Sequence, residues 1–158
     1  MHELRLELEP KAATVPRARA AFRDRFAGAL ADERLETATL LLSELVTNSV
    51  LHAGLGPTQR VTLEARLHDG RLHAEVCDEG PSFERRVTKP LERGGWGLYL
   101  VEQVSSRWGV ERGEGNTVWF EVDPAVYSQN GAQLMANGVR VMLPKPYSSD
   151  VVHIEPQN

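Results

Sequence analysis

Three polar side chains recur at intervals of four within an apolar stretch that runs from Glu44 to Ala53 and reads ELVTNSVLHA. If this stretch is a helix, the carboxylate of Glu44, the amide of Asn48 and the imidazole of His52 fall within an arc of about 80°. The apolar face of the same helix borders that arc. The pattern has two interpretations: a solvated helix edge with a histidine near the C-terminus, or the lining of a site.

Asp78 is the second candidate for chemistry, because it follows Leu72, Ala74 and Val76 at strand spacing. This parity predicts that its carboxylate faces the interior, where it is costly unless hydrogen-bond donors surround it. One interpretation is a buried acceptor for an N–H group of a ligand. The other is a turn or capping aspartate before Glu79-Gly80.

A glycine-rich segment, Arg93 to Leu98 (RGGWGL), leads directly into a predicted helix. Such a loop lets backbone N–H groups approach phosphates at the positive end of a helix. A glycine cluster alone also fits a flexible turn. Its place between Asp78 and a helix favours the phosphate-binding interpretation.

Alternation, capping residues and turn signals predict the elements that must position these residues. The hairpin signals are Asp69-Gly70 and Glu114-Gly115-Asn116. We expect an α+β fold, a two-layer sandwich with a mixed sheet and helices on one face. The predicted strands are 2–9, 60–67, 71–78, 108–112 and 117–122, and the predicted helices are 14–30, 32–53 and 98–106, with Thr14 as a cap and Gly54 as a stop.

Composition limits the function classes. The chain has 158 residues and a net charge of −4, so we expect one domain and no nucleic-acid partner. No apolar run is long enough to cross a bilayer and no signal-peptide pattern is evident, so no membrane association is expected. The single cysteine, Cys77, suits a reducing cytoplasm.

Taken together, four segments resemble the motifs of the GHKL superfamily, the histidine kinase-like ATPases, and in particular the single-domain serine kinases that act as bacterial anti-sigma factors. ELVTNSVLH resembles the N box, DEGPSF the first glycine box, GGWGLYLVE the second, and GNTVWFEV the closing strand. The resemblance covers residues 1–122, predicted as the ATP-binding domain. The segment 123–158 is predicted as a C-terminal extension, with strands near 139–143 and 151–154, or as a partner-binding arm.

The resemblance implies a role for each matching residue. Glu44 is the expected general base, and Asn48 is the expected Mg²⁺ ligand and part of the nucleotide site. Asp78 is expected to accept the adenine amino group, and His52 has no secure role. The remaining nucleotide-binding residues are expected to be Gly80 beneath the base, Gly95, Gly97 and the amide of Leu98 at the phosphates, and Thr117 on the adenine side.

The implied function is an ATP- and Mg²⁺-dependent protein-serine kinase of the anti-sigma type. It would phosphorylate a serine of an anti-anti-sigma-like partner, and a sigma factor and a homodimer are further expected partners. One departure is Ser82, preceded by Pro81, where the family usually has a second glycine. This departure favours the alternative function, a non-catalytic module that binds nucleotide and grips a partner, whereas Glu44 favours the kinase.

Overall fold

The computed structural model describes residues 2–81, 96–113 and 115–123, and two short strands at 133–136 and 139–142. In chain order the elements are β1 (His2–Leu8), α1 (Thr14–Phe26), α2 (Asp32–His52), β2 (Val61–His68), β3 (Arg71–Asp78), α3 (Trp96–Val104), β4 (Arg107–Arg112), β5 (Asn116–Val122), β6 (Gln133–Ala136) and β7 (Val139–Met142).

The main sheet has five strands in the order β1-β2-β3-β5-β4, and every pairing is antiparallel. The α+β fold is as predicted, but the expectation of a mixed sheet is wrong. A strand–helix–strand connection such as β3–α3–β4 often joins parallel neighbours. Here β5 pairs between β3 and β4, so these two strands run in the same direction without being adjacent.

The β2–β3 hairpin forms at the predicted Asp69-Gly70 turn. Both residues have positive φ, 49° and 75° respectively. Two consecutive left-handed residues are the requirement of the tight turn that matches the strand twist, and Asp-Gly satisfies it at low cost. The turn sets a register in which Val61 pairs with Asp78 at the far end of the hairpin.

The helices pack on one face of the sheet, as expected. The inward residues of β2, β3 and β5 are buried, while the alternate residues on the other face remain partly or fully exposed. The long helix α2 lies at the centre of the helical layer and contacts α1, α3 and the three central strands. Its buried leucines and valines join Phe22, Phe26 and Phe120 in a single core.

Two predictions about α1 need correction. The helix ends at Phe26, four residues before the predicted end, because Gly28 has a φ of 74° and the chain turns there. Thr14 is the first helical residue instead of the cap, and its hydroxyl donates to the carbonyl oxygen of Glu9 at 3.0 Å. In contrast, α2 ends at His52, one residue before the predicted end, and the predicted stop Gly54 lies just beyond it with a φ of 68°.

A separate two-stranded sheet, β6–β7, follows the main domain, and β7 contacts α2. The predicted strand near 139–143 corresponds to β7, β6 was not predicted, and the predicted strand at 151–154 lies outside the described residues. Within the described part of the chain, no helix combines the length and hydropathy that a membrane crossing requires.

Candidate nucleotide site

The residues of the candidate site form two groups, which we call its two ends, and α2 contributes to both. Glu44 and Asn48 are half-buried on this helix, Ser49 is buried, and His52 is exposed. Because a helix rises about 1.5 Å per residue, Glu44 and Ser49 are separated by roughly 7 Å along its axis. The two ends are defined by what these side chains contact on β3, β5 and α3.

At the first end, which we call the base end, Asp78 is 1% exposed. It accepts hydrogen bonds from the Ser49 hydroxyl at 2.8 Å, the Asn116 side-chain amide at 2.9 Å and the backbone N–H of Gly80 at 3.1 Å. These donors offset the cost of burying the carboxylate.

Both sequence interpretations of Asp78 therefore apply. The bond from the Gly80 N–H, two residues later in the chain, is the bond of an aspartate turn. The bonds from Ser49 and Asn116 come from other elements and make the same carboxylate the centre of a buried polar cluster. Asp78 is a turn aspartate and an interior acceptor at once.

Asn116 was missed by sequence reasoning, which instead selected its neighbour Thr117. In the β3–β5 register Asn116 pairs with Asp78, and Thr117 pairs with Cys77. Successive side chains of a strand point to opposite faces. Asn116 is thus buried beside Asp78, while Thr117 lies on the outer face with Cys77. The structure therefore brings Asn116, and not the predicted Thr117, to the Asp78 carboxylate.

The Asn116 amide also holds the chain that leaves β3. Its Nδ2 lies 3.2 Å from the carbonyl oxygen of Gly80 and 3.4 Å from that of Pro81, in addition to its bond to Asp78. The preceding carbonyl, that of Glu79, accepts from the side-chain amide of Gln59 at 2.7 Å. Three consecutive carbonyls after β3 are thus bound by side-chain amides from two different parts of the fold.

Two glycines allow this close packing. A Cβ atom at Gly80 would lie 2.6 Å from the carbonyl oxygen of Ala53, at the end of α2. A Cβ atom at Gly115 would overlap the carbonyl oxygen of Asp78. Both neighbours are backbone atoms that cannot rotate away, so the base end requires glycine at both positions. Gly80 was predicted to let the backbone pass beneath the base; the close neighbour that the structure shows is Ala53, at the end of α2.

At the second end, which we call the phosphate end, α3 meets α2. A Cβ atom at Gly97 would lie 3.0 Å from Asn48 Nδ2 and 3.0 Å from Glu44 Oε2. The two side chains thus converge on the backbone of Gly97, within the first turn of α3. The structure brings together three residues that sequence reasoning assigned to catalysis, metal binding and phosphate binding.

The first turn of α3 also contributes backbone donors. The first four N–H groups of a helix have no partner within it, and their end of the helix carries a partial positive charge. Leu98, whose amide was predicted to bind phosphate, is the third residue of α3 and is half-buried. The predicted Gly95 and the substituted position Ser82 lie outside the described residues.

The donor set of the phosphate end is compatible with Mg²⁺, which binds hard oxygen ligands and usually combines one or two protein groups with substrate phosphates. Asn48 directs Nδ2 toward Gly97, and a half-turn of its side-chain amide would present the oxygen instead. Within the described residues, no group of three or more His, Cys, Asp or Glu could hold a metal by itself. A single side-chain oxygen from Asn48 would suit Mg²⁺ only together with oxygen ligands from phosphates or water.

Ser49 and Gln59 were also missed by sequence reasoning. Ser49 is 1% exposed among apolar residues of α2, and a small polar residue in such a position is indistinguishable from core in a sequence pattern. Gln59 lies in the loop between α2 and β2, with no periodicity to mark it.

Comparison with known proteins agrees with this geometry. The family model for the histidine kinase-like ATPase domain matches residues 8–122. The chain belongs to the histidine kinase-like ATPase family. This confirms the family predicted from the motifs, and it implies an ATP-binding domain.

The similar curated proteins are serine-protein kinases. Serine-protein kinase RsbW of Listeria innocua is 30% identical over 86 residues, which are 46% of this chain and 55% of that protein. Serine-protein kinase RsbW of Staphylococcus epidermidis is 30% identical over 107 residues, 58% of this chain and 67% of that protein. The chain thus spans about half the length of the first of these relatives and two thirds of the second.

Proposed function

We propose that this chain is an ATP-dependent protein-serine kinase of the anti-sigma type, which transfers the γ-phosphoryl group of MgATP to a serine of an anti-anti-sigma-like protein. The observation that carries the proposal is the convergence of Glu44 and Asn48 on Gly97 at the start of α3. The similarity to the RsbW serine-protein kinases supports the choice of serine as acceptor. A sigma factor as second partner and a cytoplasmic location are further parts of this proposal.

At the base end, the Asp78 carboxylate accepts a hydrogen bond from the exocyclic amine of adenine. Ser49 and Asn116 hold its carboxylate from the α2 side and the β5 side. The close approach of Gly80 to Ala53 brings the chain after β3 against the end of α2. The base end therefore binds and orients the nucleotide without taking part in the transfer.

At the phosphate end, the backbone amides of Gly97 and Leu98 bind phosphate oxygens at the positive end of α3. Asn48 would hold a Mg²⁺ ion through its side-chain oxygen, and the ion would supply positive charge that offsets the charge of the phosphates. The Glu44 carboxylate accepts the proton of the attacking serine hydroxyl. The serine oxygen forms a bond to the γ-phosphorus, and the bond from that phosphorus to the departing ADP oxygen breaks.

A specific observation also supports the alternative function, a nucleotide-dependent binding module without kinase activity. The Glu44 carboxylate lies beside the first turn of α3, where a negative charge stabilises a helix. In that role Glu44 would fix α3 against α2, and the nucleotide would only set the shape that a partner recognises. The two functions differ in whether Glu44 affects transfer or only stability.

The deciding experiment uses γ-labelled ATP. The full chain is incubated with MgATP and purified anti-anti-sigma-like proteins from the same organism, and phosphoserine is detected by mass spectrometry. Binding of each protein is measured in parallel in the presence of ATP and of ADP. Phosphoserine on a bound partner supports the kinase. Nucleotide-dependent binding without any phosphoserine supports the binding module and contradicts the kinase.

A further inference from the structure

Three sides of α2 are occupied by the main domain. The sheet lies on one side, where the Ser49 hydroxyl donates to Asp78 of β3. The flanks are occupied by α1 and α3, because α1 also contacts β1 and α3 also contacts β4, the opposite edges of the sheet. Among the described elements, β7 belongs to neither layer and still contacts α2. The fourth side of the helix, which faces away from the sheet and which we call the outer side, is the side left for β7.

The burial of residues on the outer side indicates where it is covered. Leu40 precedes Ser49 by about two and a half helical turns, so it points away from the sheet. It is nevertheless only 8% exposed, whereas Leu51, on the same side near the end of α2, is 52% exposed. Glu36, about one turn before Leu40, is exposed as well. The cover therefore lies over the middle of the outer side, about one helical turn from Glu44.

We propose that the β6–β7 sheet is a built-in cover of the outer side of α2, which keeps a partner protein away from Glu44 until the sheet is displaced. The inference rests on the proposed function, because it concerns how the acceptor serine reaches Glu44. The main sheet, α1 and α3 close the other sides of the helix, so a partner that approaches over α2 meets β6–β7 first. The family match ends at residue 122, so the cover is an addition to the family domain.

Displacement of this cover costs little. A two-stranded sheet alone is marginally stable in water, so β6–β7 depends on the surface against which it packs. It forms a sheet of its own and adds no strand to the main sheet, so its release leaves the five-stranded domain intact. Because the cover is tethered to the same chain, it competes with a partner at a high effective concentration. A partner displaces it by binding α2 more favourably than the cover does.

The first test measures thiol labelling of the full chain by a maleimide reagent. Cys77, the only cysteine of the sequence, is replaced by serine. A new cysteine is introduced as Thr47→Cys, at a half-buried position on the covered part of the outer side, or as Leu51→Cys, beyond the cover. Each is combined with Arg140→Pro or Val141→Pro in β7. Successive N–H groups of a strand point to opposite edges, so one proline removes a hydrogen bond to β6 and the other is its matched control.

We expect Thr47→Cys to react more slowly than Leu51→Cys while β7 is unaltered. One of the two prolines should raise the rate at Thr47→Cys by about threefold to tenfold, the usual shift for the loss of one backbone hydrogen bond. The rate at Leu51→Cys should stay the same, and thermal unfolding should show that the main domain is folded in each variant. If neither proline changes the rate at Thr47→Cys, β6–β7 does not cover α2 and the inference is overturned.

The second test measures partner binding. The anti-anti-sigma-like proteins of the labelled-ATP experiment are titrated against the wild type and against the proline variant that opens the cover. Tighter binding by that variant supports the cover as a competitor of the partner. Equal or weaker binding would mean that the partner docks on β6–β7 or away from α2, and it would overturn the inference.

The inference and the proposed function fail separately. Phosphoserine on a partner, together with unchanged labelling rates, removes the cover and leaves the kinase. Faster labelling and tighter binding without phosphoserine keep the cover and contradict the kinase. If no protein binds either the wild type or the opened variant, both are wrong.

Discussion

The base end and the phosphate end of the site are built on the same helix, but they differ in how completely the protein surrounds them. At the base end Asp78, Ser49 and Asn116 are buried, and Ser49 and Asn116 each donate a hydrogen bond to the Asp78 carboxylate. At the phosphate end Glu44 and Asn48 are half-buried and converge on a residue that has no side chain, Gly97. The first end is part of the core, whereas the second is a rim at which two helices meet.

This difference predicts different consequences of substitution. A change at the base end removes hydrogen bonds that also hold the fold, so affinity and stability should fall together. A change at the phosphate end alters side chains that are only half-buried, so chemistry or metal dependence should change with little loss of stability. Paired measurements of function and thermal unfolding therefore test whether the two ends are distinct.

The largest effect is expected for Glu44→Gln. If Glu44 is the general base, phosphate transfer should slow by about 10²–10⁴-fold, the usual contribution of a positioned base. MgATP affinity should remain near wild type, because the base acts mainly in the transition state. Single-turnover transfer and calorimetric titration measure the two quantities.

The matched control for this prediction is Glu36→Gln, on the same helix. Glu36 is exposed and pairs with Arg23 at 3.0 Å, an ion pair of small expected worth. It should leave transfer and binding unchanged. Equal transfer rates for the wild type and Glu44→Gln would remove Glu44 from catalysis and favour the binding module.

The second-largest effect is expected for Asp78→Asn at the base end. ATP affinity should fall by about one to two decades, which corresponds to the roughly 1–3 kcal/mol cost of a lost or unpaired buried polar group. The fold should survive at a lower melting temperature, because the Ser49 hydroxyl can turn and accept from the new amide. Calorimetry and thermal unfolding check the two parts.

Asp69→Asn is the control for Asp78→Asn. Asp69 lies in the β2–β3 turn with a φ of 49°, a conformation that asparagine adopts readily. It should change neither ATP affinity nor stability by a measurable amount. If Asp78→Asn binds ATP as tightly as this control, Asp78 does not contact the base.

How much of the fold can be predicted from the sequence depends on the kind of signal. The strands followed from alternation, and Asp69-Gly70 located the first hairpin, because these patterns are local. The arrangement of β5 between β3 and β4 could not be predicted, since pairing between distant strands leaves no local trace. The layers of the fold can therefore be predicted from the sequence more reliably than the order of the strands in the sheet.

The site shows the same limit in single residues. Asp78 was identified because its parity conflicts with its charge. Thr117 was chosen from the resemblance of its segment to the closing strand of the family. The register that places Asn116 beside Asp78 is invisible in one sequence, and a shift of one residue exchanges the two faces. Ser49 was missed because a serine among buried leucines gives no sign of a partner on another strand.

A smaller effect is expected for Gly97→Val at the phosphate end. The Cβ atom of the new side chain would lie 3.0 Å from Glu44 Oε2 and 3.0 Å from Asn48 Nδ2, so both side chains would have to move. If ATP binding needs both side chains in their present rotamers, restoring each against the new side chain costs about 0.5–1.5 kcal/mol, which would make ATP binding roughly tenfold weaker. Adenosine, which has no phosphates, should bind as to the wild type in the same calorimetric titration. Equal weakening of both ligands would show that Gly97 supports the fold instead of the phosphates.

The smallest effect, and the most specific, is expected for Asn48→Ala. The substitution removes one oxygen ligand of the Mg²⁺ ion. Because the ion would also bind phosphates and water, ATP affinity should fall only about threefold to tenfold. The loss should appear in the presence of Mg²⁺ and vanish in the presence of EDTA, because without the metal the side chain has no ligand role. Thr47→Ala, one position earlier and equally half-buried, is the control and should bind ATP normally under both conditions. Calorimetric titrations of the two variants and the wild type, each with and without Mg²⁺, give six dissociation constants. A loss of the same size with and without Mg²⁺ would mean that Asn48 contacts the nucleotide directly, and the metal would then have to be held by other groups at this end.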